Sequence, residues 1–89
     1  MAKIEITHPD RAELAGLGVD SWATWTCGIS EFPWHCDERE TCYILEGRVT
    51  VETGGEKSEI GPGDLVTFPA GLSCTWRVHE PIRKVYRFG

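Results

Sequence analysis

Gly61-Pro62-Gly63-Asp64-Leu65-Val66-Thr67-Phe68-Pro69-Ala70-Gly71-Leu72-Ser73-Cys74-Thr75-Trp76-Arg77-Val78 is the run whose reading decides the fold class. Gly-Pro-Gly and Pro-Ala-Gly are turn sequences, because Gly tolerates positive φ and Pro presets the bend. Between and after them lie residues 65–68 and 73–78, short runs rich in β-branched and aromatic side chains. In the second run Cys74, Trp76 and Val78 alternate with Ser73, Thr75 and Arg77. A period of two turns the first set inward and sends Arg77 to solvent. The stretch therefore reads as turn, strand, turn, strand.

The same pattern extends in both directions. Strand-like runs occupy residues 22–27, 40–46, 48–52, 57–60 and 83–88, divided by Gly28, Gly47, Gly54-Gly55 and Glu80-Pro81. Upstream, Lys3-Ile4-Glu5-Ile6-Thr7 alternates as an edge strand. Thr7 or His8 then leads into Pro9-Asp10-Arg11-Ala12-Glu13-Leu14, a short helix with Pro inside its start and acids in its first turn. Gly16 and Gly18 end it. Seven or eight short strands at this spacing predict an all-β sandwich, barrel or jelly roll. From Glu40 onward, Glu40, Cys42, Ile44 and Glu46 share one face and Thr41, Tyr43 and Leu45 the other. Both faces are partly apolar, so one meets the interior and the other a second layer or a partner subunit.

The chain has 89 residues, enough for one domain. Four Trp, three Phe and two Tyr give so short a chain an efficient core. Fourteen acidic against nine basic side chains leave a net charge of −5, which argues against a nucleic-acid partner. Arg77, Arg83, Lys84 and Arg87 crowd the C-terminal end and read as a solvated or salt-bridged strand face, or as an anion-steering rim beside a pocket. No apolar run approaches the ~18 residues of a membrane span, and residues 1–20 hold no signal-peptide core. A cytoplasmic location without a membrane partner is expected, with the four Cys as free thiols. No C-x-x-C pair occurs, which excludes a zinc ribbon or a thioredoxin-type motif. The chain contains neither Asn nor Gln.

Two segments resemble the paired motifs of the cupin superfamily. The first motif ends Glu, six residues, Gly, with His-x-His upstream; here Glu40 is followed by six residues and Gly47, and His35 stands before Glu40. The second reads Gly, five residues, Pro-x-Gly, two residues, His, three residues, Asn; here Gly63 leads through Pro69-Ala70-Gly71 to Cys74 and Val78. Fifteen residues separate Gly47 from Gly63, like the short intermotif loop of the smallest cupins. The resemblance implies one all-β cupin domain over residues 1–89, a double-stranded β-helix or jelly-roll barrel with one short N-terminal helix. Motif one falls at about 28–47 and motif two at about 63–78. Residues 40–47, 61–72 and 76–86 are further similar to the small cupins related to (S)-ureidoglycine aminohydrolase and to the ethanolamine-utilisation cupin. That aminohydrolase is a two-cupin, metal-dependent enzyme releasing ammonia from a ureide.

In a cupin two His and a Glu of the first motif and a His of the second hold a metal. The corresponding positions are Pro33, His35, Glu40 and Cys74. The resemblance thus implies His35, Glu40 and Cys74 as ligands of one divalent ion, a set that zinc accepts with one position open. Iron, nickel and copper suit it as well. Read without the resemblance, Cys74 beside Trp76 is a small buried hydrophobe. His35 is then a hydrogen-bonding residue at a turn, and Glu40 the partner of Arg39, Arg48 or a C-terminal base. Trp25, Trp34, Cys42 and Trp76 are expected to line the barrel pocket, Cys27 and Cys36 to be packing or rim thiols, and His8 and His79 to lie on the surface. Three functions follow. One is metal-dependent chemistry on a small polar metabolite such as a ureide or amine. Another is metal-free binding of a small ligand, and the third a structural homodimer closed by Tyr43 and Leu45. Without Asn or Gln, a ligand would be read by backbone groups, by Ser73, Thr41 or Tyr43, or by an Arg.

Overall fold

The structure is a computed structural model describing residues 3–89; residues 1 and 2 of the expected domain lie outside it. Strand β1 (Glu5–Thr7) leads to helix α1 (Arg11–Leu17) and a 3-10 turn (Val19–Ser21). The remaining elements are strands: β2 (Ala23–Cys27), β3 (Ser30–His35), β4 (Glu40–Thr53), β5 (Glu56–Ile60), β6 (Leu65–Phe68) and β7 (Ser73–Phe88).

Helix α1 starts later than Pro9 suggests. Asp10, rather than Thr7 or His8, is its cap: the Asp10 carboxylate accepts the Glu13 backbone N–H at 2.9 Å, and Glu13 Oε1 accepts the Asp10 N–H at 3.3 Å. This reciprocal capping box leaves Pro9 outside the helix. Gly18, at φ 71°, closes the other end by donating its N–H to the carbonyls of Leu14 and Ala15.

Residues 30–35, where no strand is expected and His35 is placed at a turn, form strand β3. The strand pairs with β7 alone, placing Pro33 opposite Thr75. On such an edge the missing Pro N–H costs no ladder bond. The breaks expected at Gly47 and at Glu80-Pro81 are likewise bends inside continuous strands. The β4–β7 register shifts between Ile44 and Glu46, Glu46 and Arg48, and Arg48 and Val49. These bulges bend the two strands together.

Each long strand therefore serves two sheets. The first part of β4 pairs with β6 and its second part with β5, while β7 pairs first with β3 and then with β2. On one side of the bend the order is β1-β6-β4-β7-β2, and on the other β4 and β7 are flanked by β5 and β3. The result is the all-β, two-sheeted jelly-roll barrel that the resemblance implies. Its core holds Cys42, Ile44, Val49, Val51, Val66, Phe68, Trp76 and Val78, all nearly free of solvent contact. Cys74, Trp76 and Val78 point inward, and Arg77 faces out to pair with Glu31 at 3.2 Å and with Glu52. On the outer face Tyr43, Leu45 and Val85 share a groove of about 470 Å³ with Leu14, Val19 and Trp22, so the N-terminal segment supplies part of a second layer. Among the described residues no helix is long and apolar enough to cross a membrane.

Candidate functional site: an aromatic cavity around an internal ion pair

Strand β7 keeps its inward parity on both sides of the bend. Beyond Pro81 the inward positions are Ile82, Lys84, Tyr86 and Phe88, and the last three lie opposite Ile44, Cys42 and Glu40 of β4. An ammonium and a carboxylate are thereby carried into the barrel. Lys84 is 5% exposed and Glu40 1%. Lys84 Nζ donates to Glu40 Oε2 at 2.6 Å and lies 4.7 Å from the Trp76 ring centre, 4.9 Å from Trp25 and 5.6 Å from Tyr86. Removing an ammonium from water costs several kcal/mol, about as much as a buried ion needs returned by a close counter-charge. The carboxylate provides that charge, and the ring faces add their quadrupole attraction.

Beside the pair is a cavity of about 60 Å³ whose wall is Trp25, Phe32, Trp34, Trp76, Tyr86 and Phe88, with Glu40 and Lys84 as its charged lining among the described residues. Phe32 stacks on Trp76 at 6.0 Å, and Trp25 meets Trp76 edge to face at 5.9 Å. Phe88, half exposed, and the half-buried Trp25, Phe32, Trp34 and Tyr86 leave the cavity open to solvent. Sites for drug-sized ligands measure ~300–1,000 Å³, so this one takes a molecule of a few heavy atoms.

Two indole N–H groups, those of Trp34 and Trp76, are buried without an oxygen or nitrogen acceptor. Their polar neighbours are sulfurs, Cys36 for Trp34 and Cys74 for Trp76, and thiols are weak acceptors. Burial is the main influence on these thiols. It pushes Cys42 up to about 12 and Cys74 up to about 11, and raises Cys36 as well. All three are neutral at pH 7, and the cysteines of the described chain are free.

The three residues implied as metal ligands are not brought together. In the β3–β7 ladder Trp34 lies opposite Cys74 and His35 opposite Ser73. Neighbouring residues of a strand face opposite ways, so Trp34 and Cys74 turn inward while His35 turns to solvent. There its Nδ1 is 2.8 Å from Ser73 Oγ, and its Nε2 3.6 Å from Asp37. Among the described residues no three His, Cys, Asp or Glu side chains gather as a metal-holding group. The donor set also fits a metal poorly at Glu40 itself, where the cation at hydrogen-bonding distance is the Lys84 ammonium. Cys42 shares the inward face with Glu40 yet is wholly buried in the core and forms no part of the cavity wall. Trp25, Trp34 and Trp76 do form it. Phe32, Lys84, Tyr86 and Phe88 complete the lining and are not among the residues expected there from the sequence. Even spacing from Cys74 and Trp76 marks Lys84 as inward once residues 73–88 are read as a single strand.

Residues 14–86 match the EutQ-like cupin domain. A DUF861 family protein from Thermotoga maritima is 49% identical, with a TM-score of 0.96 over 98% of this chain and 100% of that chain. The EutQ protein of Clostridium difficile is 22% identical, with a TM-score of 0.66 over 71% of this chain and 50% of that chain. A putative ethanolamine utilization protein Q from Salmonella typhimurium is 24% identical, with a TM-score of 0.65 over 93% of this chain and 66% of that chain. The last two likenesses are of fold. No curated protein matches the chain.

Proposed function

Because the chain belongs to the EutQ-like cupin domain family, we propose that its barrel is a binding site for one small organic molecule and that it works without a metal. The observation that carries this reading is the Lys84–Glu40 pair at the wall of an aromatic cavity. The ammonium has three donors, and its hydrogen bond to Glu40 uses one. The others suit a carbonyl or carboxylate oxygen, while the rings of Trp25, Phe32 and Trp76 suit a short apolar body. Of the two ligand classes named from the sequence, a ureide or other carbonyl compound satisfies this arrangement. A protonated amine does not, since it would sit against Lys84. Three buried, neutral thiols accord with the reducing, cytoplasmic setting expected from the sequence.

The test is a thermal-shift and tryptophan-fluorescence titration with small ureides, amides, ketones, carboxylates and amines, run in EDTA and again with added zinc, nickel or iron. A carbonyl compound at about 100 times its Kd should stabilise the fold by about 2.7 kcal/mol, equally in EDTA. Stabilisation that appears only with metal would overturn the reading, as would binding of amines alone.

A further inference from the structure

Lys84 has a second capacity beyond donating a hydrogen bond. We propose that it is a carbonyl-capturing amine, condensing with a small uncharged aldehyde or ketone in the barrel to form an iminium. The proposal rests on the reading that the cavity admits a small carbonyl compound. It draws on three further observations. Glu40 Oε2 lies 2.6 Å from Nζ, in place to take the proton that makes an ammonium non-nucleophilic. Lys84 is one of the residues lining the cavity, which places its side chain beside any carbonyl compound held there. The ring faces of Trp25, Trp76 and Tyr86 surround the position that the iminium would hold.

Glu40 accepts a proton from the ammonium, and the freed lone pair of Nζ attacks the carbonyl carbon. A C–N bond forms while the π pair of the C=O moves to oxygen. A proton passes from nitrogen to that oxygen, giving the carbinolamine. Glu40 returns its proton to the hydroxyl, which leaves as water while the nitrogen lone pair forms the C=N bond. Nothing is oxidised or reduced. A cation replaces a cation, so the pairing with Glu40 and the contacts with the rings survive the reaction. An apolar wall also favours the step that expels water.

The chain has three lysines, and Lys3 and Lys57 are exposed, so each molecule carries its own controls. Wild-type protein is treated with propanal and sodium cyanoborohydride near neutral pH, and the alkylated sites are mapped by peptide mass spectrometry. Burial alone would make Lys84 the slowest of the three. We expect it instead to be trapped at least about ten-fold faster than Lys57. Labelling of Lys84 no faster than Lys57 overturns the proposal. Glu40→Gln should slow trapping at Lys84 by about ten-fold and leave Lys57 unchanged, and equal rates in the two proteins would remove Glu40 from the mechanism. The wild-type comparison decides the main point even where that variant fails to fold. Propanamide, which carries a carbonyl on the same short chain and does not condense, separates this inference from the one beneath it. Stabilisation by propanamide without trapping leaves the binding site and overturns the imine, whereas absence of both overturns the two together.

Discussion

Lys84 and Glu40 lie 2.6 Å apart with 5% and 1% of their surfaces exposed, and among the described residues each is the other's only charged partner within salt-bridge distance. Two charges buried this deeply are bound less by net attraction than by the cost of leaving either alone. Lys84→Met or Glu40→Leu should each destabilise the fold by about 3–5 kcal/mol, whereas the two combined should return it close to wild type. Urea unfolding of the four proteins measures the cycle. Single-variant losses below about 1 kcal/mol would mean that the pair is solvated.

The bend shared by β4 and β7 depends on Gly47, which has φ 92° and whose added Cβ would lie 2.1 Å from the Pro81 carbonyl oxygen. Backbone cannot yield as a flexible side chain can. Gly47→Ala should therefore cost more than the ~1 kcal/mol of a left-handed alanine, about 3 kcal/mol in all. Gly28 is the control: its φ lies outside the left-handed region, and nothing stands within 4 Å of an added Cβ. Gly28→Ala should be neutral or stabilise by about 0.4–1 kcal/mol. Chemical denaturation of both variants checks the pair, and equal effects would show that the bend does not need glycine.

The fold was legible because alternation and turn residues are local signals. The inward set Cys74, Trp76 and Val78, the outward Arg77, and the helix stop at Gly18 all follow from the nearest few residues. Long strands were not legible, since Gly47 and Pro81 look alike whether they end a strand or bulge within it. Only their mutual packing across the ladder distinguishes the two cases. The site suffered from the same error. With β7 cut at Pro81, Lys84 fell among surface bases, and the phase linking it to Trp76 was lost. His35 took a ligand position by its distance from Glu40 along the chain, which carries no information on the face to which a strand residue turns.

His35 offers a direct check on this placement. It is exposed, with Ser73 and Asp37 as its polar contacts, and both of these are exposed as well. Losing such surface interactions changes stability by no more than about 0.5 kcal/mol. His35→Ala should leave the unfolding midpoint and the metal content of protein purified without an affinity tag unchanged. A metal signal lost with His35 would restore the imidazole to a metal centre.

Alkaline pH probes the buried thiols of the core. Burial raises Cys42 to about 12 and Cys74 to about 11, from 9.0 for a thiol in the open chain. Above pH 9 the unfolded chain loses these protons while the folded one retains them, so the folded state binds more protons and stability falls as pH rises. The contribution is fully present below pH 9 and is lost as the pH climbs through 11 toward 12. Tyrosines and lysines titrate in the same range, so the informative quantity is a difference between proteins. The unfolding midpoint of Cys42→Ala/Cys74→Ala should start lower than that of wild type at pH 8, because two core groups have been shortened. It should then decline less steeply between pH 9 and pH 11, since the variant has neither thiol to ionise. Parallel curves over that interval would mean that the two thiols reach solvent in the folded protein, which would contradict the closed packing of Cys42 beneath Glu40 and Lys84.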